Sequence, residues 1–423
     1  MDPITRILSA VHEEFAGERG GALADYIPEL AGADPDRFGL AVAGVHGTVY
    51  QAGDAGEFTI QSVSKPFVLA LALADLGLDG VLSRVCAEPS GEPFNAVSLE
   101  PGTGRPANPM INAGALLTTS LVAAAGPAER FARIHRVLSA FAGRSLAVDE
   151  ATYASEQATG DRNRALAYLM RAAGSLTEPV DEVVDAYFRQ CAVLVTVADI
   201  ATMAATLANG GVNPRTGAQV VGERAAGQVL TMMATCGMYD YSGEWLLRVG
   251  LPAKSGVSGC VIAASPAQFG IGIFSPPVDE RGNSVRAVLA ARRLSEAFDL
   301  DLVRHPGLNA PVLRRRDDAA TTAAVTVLEL QGELDFAAAE SVLADLLALP
   351  GSATRLLVLD LTAVSRVRPV AGGLFTAAVT DLARAGVRTA LVGADTGLIT
   401  GGRWFTHRAD ALAWHTTMNG GPS

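Results

Sequence analysis

The chain has 423 residues, 49% of them apolar and 18% charged, which supplies ample material for buried cores and argues against global disorder. Its length exceeds what one hydrophobic core usually supports, so a large unit and a smaller companion are expected. A net charge of −11 excludes the polyanion-binding classes, because nucleic acid and anionic lipid are held by clustered Lys and Arg.

The N-terminus opens Met-Asp-Pro and continues as an amphipathic, charge-bearing stretch, without the basic start and apolar block of a secretory signal. Strand-like runs follow at Phe38-Gly-Leu-Ala-Val-Ala and Phe58-Thr-Ile. Ala- and Leu-rich stretches at 67 to 77, 113 to 125, 164 to 173 and 197 to 208 have helical length, the last closing on Asn209-Gly210-Gly211 as a C-cap would. Phe269-Gly-Ile-Gly-Ile-Phe is again strand-like, and the mixture predicts an α+β domain over 1–305.

A Pro- and Arg-bearing segment, 306–322, reads as a linker, its Arg314-Arg315-Arg316 run followed at once by Asp317-Asp318. Beyond it the pattern alternates: Val325-Thr-Val-Leu-Glu-Leu, a turn at Gly332, a helix from about Ala337 to Leu349, a buried strand at Leu356-Leu-Val-Leu-Asp-Leu, then helix and strand again. This predicts a small α/β domain over 323–416 and a frayed tail over 417–423. No apolar run is long enough to span a membrane, and the four cysteines and six histidines lack ligand spacing. A cytoplasmic protein with no metal, disulfide framework or cofactor is expected.

Of 33 basic residues only Lys65 and Lys254 are lysines. A chain that uses Arg wherever fixed charge suffices keeps Lys where a compact, deprotonatable amine matters. Lys65 ends Ser62-Val63-Ser64-Lys65 at the start of an apolar helical run, which places Ser62 and Lys65 on one helix face, and Pro66 fits only near a helix start. A serine hydroxyl needs a base, and a lysine serves once burial or another cation lowers its pKa; Lys254 is the candidate cation. Lys254 opens Lys-Ser-Gly, similar to the strand-edge element of serine β-lactamases and penicillin-binding proteins, where small residues around Gly256 let a backbone N–H reach an oxyanion. Taken alone, Ser-x-x-Lys is also compatible with an N-cap serine and a surface lysine. The Ser-Asp-Asn element of β-lactamases is absent, and no Gly-x-Ser-x-Gly elbow supports a Ser-His-Asp esterase.

Read together, Ala24-Asp-Tyr26-Ile-Pro-Glu-Leu, Gln61-Ser62-Val-Ser-Lys65, Asn108-Pro-Met-Ile-Asn112-Ala-Gly-Ala, Ser155-Glu156-Gln-Ala-Thr-Gly-Asp-Arg-Asn163, Asp185-Ala-Tyr187-Phe, Cys236-Gly-Met-Tyr239-Asp-Tyr-Ser-Gly and Leu-Pro-Ala-Lys254-Ser-Gly-Val257 closely resemble the serine-dependent glutaminase family. The resemblance implies a β-lactamase-like fold and hydrolysis of the L-glutamine side-chain amide. It makes Ser62 the nucleophile, Lys65 its general base and Tyr239 a proton shuttle, with the N–H groups of Ser62 and Val257 holding the oxyanion. Substrate would be bound by Tyr26, Gln61, Ser62, Asn112, Glu156, Asn163, Tyr187, Tyr239 and Val257. Glu156 suits the α-ammonium, while Asn112, Asn163 and the tyrosines offer neutral donors to the α-carboxylate. The family implies a homo-oligomer, dimer or tetramer.

The C-terminal region resembles a STAS domain through Gly332-Glu-Leu-Asp-Phe and Leu359-Asp-Leu-Thr-Ala-Val, but carries Arg368-Pro369-Val370-Ala371 where phosphorylatable members have Asp-Ser-Ser-Gly. Its expected partner is a regulatory protein or a small ligand. The competing readings are a penicillin-binding or β-lactamase-type acyl hydrolase, and a STAS-mediated regulatory binding protein.

Overall fold

The computed structural model describes residues 1–25, 27–92, 96–302, 313–317 and 324–419. The chain groups into two units: Leu8–Glu296 with Leu300–Arg304, and Met1–Ile7 and Ala297–Asp299 with His305–Ser423. The first seven residues therefore group with the C-terminal part of the chain.

In the larger unit a five-stranded antiparallel sheet runs Val49–Gly53, Gly39–Gly44, Phe269–Phe274, Cys260–Ser265, Ala253–Gly256. All but the first of these strands are buried along their whole length. The helix Val197–Ala208, held at its start by a Thr196–Asp199 capping box, lies against the sheet. The alternating glycines of the Phe269 strand explain how closely: a Cβ on Gly270 would meet Ala205 N at 2.2 Å, and one on Gly272 would meet Ile200 Cγ1 at 2.6 Å. A second apolar core gathers the helices Asn112–Leu121, Asp161–Ala172 and Val180–Cys191 through Leu116, Leu117, Leu166, Met170, Val183 and Phe188.

The helix expected at 67 to 77 runs Lys65–Leu82, interrupted by Gly77 at φ 70°. That expected at 113 to 125 stops at Leu121, where Val122 turns extended, and the helix at 164 to 173 spans Asp161–Ala172. The helix expected at 197 to 208 has those bounds.

The smaller unit is also built on five strands, ordered Arg403–Phe405, Arg388–Val392, Leu356–Val367, Val325–Leu334, Leu313–Asp317. The first four are mutually parallel and the last is antiparallel. The helices Phe336–Ala348, Pro369–Arg384 and Arg408–Asn419 accompany them. Three sequence expectations need correction here. The segment taken as a linker contains the edge strand Leu313–Asp317, because the outer face of Val325–Leu334 offers unpaired backbone groups that a charged strand can cover without inviting further pairing; the rest of 306–322 lies outside the described residues. Gly332 makes no turn. The strand runs through it at φ 75° where the register shifts against Leu356–Val367, so the glycine serves a bulge. Residues 417–419, expected in the tail, belong to the last helix, Arg408–Asn419, and 420–423 lie outside the described residues.

Among the described residues no helix is long and apolar enough to cross a membrane, and no group of three or more His, Cys, Asp or Glu is placed to hold a metal ion. All four cysteines are free.

Candidate active site

Ser62 lies in a 3-10 turn, Gln61–Ser64, that runs directly into the helix beginning at Lys65, with Pro66 in the first turn where its missing N–H costs nothing. The turn starts from a backbone conformation unusual for a side-chain-bearing residue, Gln61 at φ 48°. The i, i+3 spacing then brings Lys65 Nζ to 2.6 Å from Ser62 Oγ. Lys65 is fully buried, and its second partner is the side-chain oxygen of Asn112, which accepts its N–H at 2.8 Å. Neither partner is a carboxylate. Burial therefore brings the Lys65 pKa down to about 8, and the neighbouring Glu156 carboxylate only partly opposes that fall. A neutral amine that donates to Asn112 has its lone pair free to accept the Ser62 hydroxyl proton.

Asn112 is the hub. It stands first in its helix, accepts from Tyr187 Oη at 3.3 Å as well as from Lys65, and donates its amide N–H to Asn163 Oδ1 at 3.1 Å. Glu156 approaches from the helix Glu150–Thr159 and accepts Gln61 Nε2–H at 2.8 Å. Burial raises its pKa to about 8, the Gln61 hydrogen bond and the Lys65 charge oppose this, and the Glu29 carboxylate adds to it. Burial also holds the Tyr187 and Tyr239 phenols well above the usual range, so both remain proton donors.

Lys254 comes from the edge strand Ala253–Gly256 and donates to the carbonyl of Ser255, with its Nζ 4.0 Å from the centre of the Tyr239 ring. Tyr239 Oη donates to the same carbonyl at 2.9 Å and also hydrogen-bonds the Ser62 side chain. Tyr239 itself sits at φ 58°, a second strained position next to the nucleophile. The sequence offers burial or the Lys254 charge as what lowers Lys65. Burial is the main cause at Lys65, and burial together with the neighbouring Lys65 charge holds the Lys254 pKa well down. The glycine of Lys-Ser-Gly is needed for contact: a Cβ on Gly256 would lie 3.3 Å from Val63 Cγ2 and 3.5 Å from Ser62 N. Strand and nucleophile turn thus meet backbone to backbone, with Val257 just beyond.

A cavity of about 230 Å³ opens over Ser62. Gln61, Ser62, Asn112, Glu156, Asn163, Tyr187 and Val257 all line it, although they come from five separate stretches of sequence. Tyr239, Lys65 and Lys254 stand behind this wall and reach it through Ser62 and the Ser255 carbonyl. Tyr26 lies outside the described residues. The wall also contains Ile27, Thr159, Arg162 and Cys191, which sequence reasoning did not single out. Arg162 adjoins the expected Asn163 and Thr159 the expected Glu156 motif; Cys191 carried no spacing signal.

A family model described as Glutaminase matches residues 21–302, and one described as STAS domain matches residues 316–400. Glutaminase 2 of Bradyrhizobium diazoefficiens is 44% identical over 410 residues, covering 92% of this chain; this chain spans 65% of that relative's length. The glutaminase of Clavibacter michiganensis subsp. michiganensis is 53% identical over 287 residues, 67% of this chain and 88% of the relative. The solved structure of Mglu in its native form aligns with a TM-score of 0.71 at 44% identity, covering 92% of this chain and 99% of that one. Mglu in its glutamate form aligns with the same score at 41% identity, covering 95% and 100%. With a family model spanning two thirds of its residues and the site's motifs in place, the chain belongs to the glutaminase family and carries a STAS domain after its catalytic part.

Proposed function

We propose that the protein hydrolyses the side-chain amide of L-glutamine to L-glutamate and ammonia through an acyl-enzyme on Ser62. The observation that carries this is the 2.6 Å contact between Ser62 Oγ and a buried lysine amine that has no carboxylate partner, at the floor of a cavity walled by Glu156. Neutral Lys65 takes the hydroxyl proton as Oγ attacks the amide carbon, and the N–H groups of Ser62 and Val257 receive the oxyanion. The C–N bond breaks as the nitrogen gains a proton from Lys65, passed by the Tyr239 phenol, and leaves as ammonia. A water, deprotonated by the same amine, then cleaves the glutamyl ester and restores Ser62.

Glu156 ionises to pair with the substrate ammonium, and Asn163, Arg162 and Tyr187 take up the α-carboxylate on the same carbon. Lys254, its pKa held well down by burial, donates to the Ser255 carbonyl and fixes it, so that Tyr239 and the Lys-Ser-Gly strand keep their aim on Ser62. The relatives' printed names and the glutamate form of Mglu support this substrate class. The reading includes a cytoplasmic homo-oligomer, dimer or tetramer, to be checked by light scattering, and a STAS domain whose partner is a regulatory protein or small ligand.

The test is ammonia release by the purified protein offered glutamine, asparagine, glutathione and nitrocefin. Glutamine alone should be turned over well. Absence of ammonia from glutamine, or efficient opening of nitrocefin, would overturn the assignment, as would a glutamine-like electrophile labelling any residue other than Ser62.

A further inference from the structure

The hairpin turn that carries Val257 is surrounded by polar groups that no described residue satisfies. Gly256 and Cys260 pair across this turn, and Gly259 N–H donates to the Gly256 carbonyl at 3.0 Å. Ser258 lies in the turn, 5% exposed, with its hydroxyl unpartnered among the described residues. Ser275 faces it. Its N–H donates to the Gly259 carbonyl at 2.9 Å, and a Cβ on Gly259 would fall 2.1 Å from the Ser275 carbonyl oxygen, so the two backbones touch. The Ser275 hydroxyl is fully buried and likewise unpartnered.

A third segment closes the group. Ser284 Oγ donates to the Ser275 carbonyl at 2.7 Å, and Ser255 Oγ to the Gly282 carbonyl at 3.5 Å. Between them stands Asn283, fully buried, with both its amide nitrogen and its amide oxygen unpartnered. Its backbone is pinned on both sides by Asp279, through the Asp279 carboxylate at 2.9 Å and the Asp279 N–H at 2.8 Å.

Buried polar side chains in native proteins are satisfied by protein or by ordered water in the large majority of cases. These segments offer an amide donor, an amide acceptor and two hydroxyls that can do either. That is the complement of water, which donates twice and accepts twice. An amide N–H₂ in the set repels a cation, and the amide oxygen repels an anion. We propose that Ser258, Ser275 and Asn283 form a buried hydration site, whose bridging water holds the turn and so aims the Val257 N–H at the reacting carbonyl. Asn283 is a positioning residue in this account, and its kinetic part rests on the oxyanion role assigned to Val257 above.

Asn283→Leu keeps the volume and removes both amide groups. With a bridging water in place, the substitution strands the two hydroxyls, and the Tm should fall by about 2–4 °C. The kcat for glutamine should fall by about ten- to a hundredfold with KM nearly unchanged, because the oxyanion donor loses its aim while the cavity does not change. A Tm that stays or rises overturns the hydration site, since deleting groups that were never satisfied relieves the fold. A lowered Tm with unchanged kcat overturns the positioning role. Should Asn283→Leu fail to fold, a high-resolution crystal structure of the unmodified protein decides: ordered water within hydrogen-bond distance of all three side chains is expected, and a dry site ends the proposal. If the unmodified protein releases no ammonia from glutamine, the functional reading fails, while the Tm and the density still decide the hydration site.

Discussion

Lys65 in the larger unit and Arg368 in the smaller one are both cations drawn into their folds, and they show opposite solutions to the same cost. Lys65 is wholly buried against a serine hydroxyl and an asparagine carbonyl, and burial brings its pKa to about 8. Arg368 starts the helix Pro369–Arg384 and meets two carboxylates, Glu333 at 2.5 Å and Asp299 at 3.1 Å. Those partners raise its pKa, so it stays charged. A buried cation denied a counter-ion is poised to give up its proton, whereas one supplied with two is a fixed strut.

The contrast can be broken at several points. The largest effect is expected at the dyad: Ser62→Ala and Lys65→Arg should each lower kcat by on the order of 10⁴-fold or more, with circular dichroism unchanged. A Lys65→Arg protein at wild-type rate would remove the base from the mechanism. Glu156→Gln should raise KM for glutamine by about thirty- to a hundredfold with a smaller change in kcat, since a charge-assisted bond to the ammonium is lost. Equal losses in both constants would place Glu156 elsewhere in the chemistry.

A pH profile sharpens the comparison further. Free enzyme needs Lys65 neutral and Glu156 ionised, and both titrate at about 8, so kcat/KM should climb with pH up to that region. The sign for stability differs between the two. Glu156, raised on folding, is accommodated best below its unfolded pKa, and its contribution is lost as pH rises through about 8; Lys65, lowered on folding, costs stability until pH exceeds its unfolded value. Glu29→Gln removes a charge that pushes Glu156 upward, and should shift the rising limb to lower pH. An unmoved limb would discard that coupling. The smallest effect belongs to Arg368→Ala, expected to leave kcat/KM within about twofold while lowering thermal stability modestly. A large loss of turnover would show that the strut matters to catalysis.

The legible parts of this molecule were those whose chemistry is local in sequence. Ser62 and Lys65 are three residues apart, Pro66 marks the helix start, and a lysine kept among 31 arginines is conspicuous against its background. The resemblance supplied Gln61, Asn112, Glu156, Asn163, Tyr187 and Val257, and the structure gathers them round one cavity. What could not be read was how they are shared. Nothing in the string Ile111-Asn112-Ala113 says that the Asn112 side-chain oxygen serves Lys65, because that bond depends on the fold bringing together the first residues of two helices. Nor could the depth of burial that lowers both lysines be read, since residues far apart in sequence pack over them. In the smaller unit Gly332 read as a turn because a glycine at positive φ serves a bulge equally well.

The Asn112 carbonyl has one more implication. It is an amide held against the base of an amidase, and exchanging its NH₂ for O⁻ would hand Lys65 the counter-ion that the fold withholds. Deamidation there would raise the Lys65 pKa and lower activity at neutral pH. An Asn112→Asp protein should accordingly keep its fold but show the limb of its pH profile displaced toward alkaline values, and a profile that stays in place would show that this oxygen only orients the lysine. A protein that ages at this position would lose its activity to the same chemistry it performs.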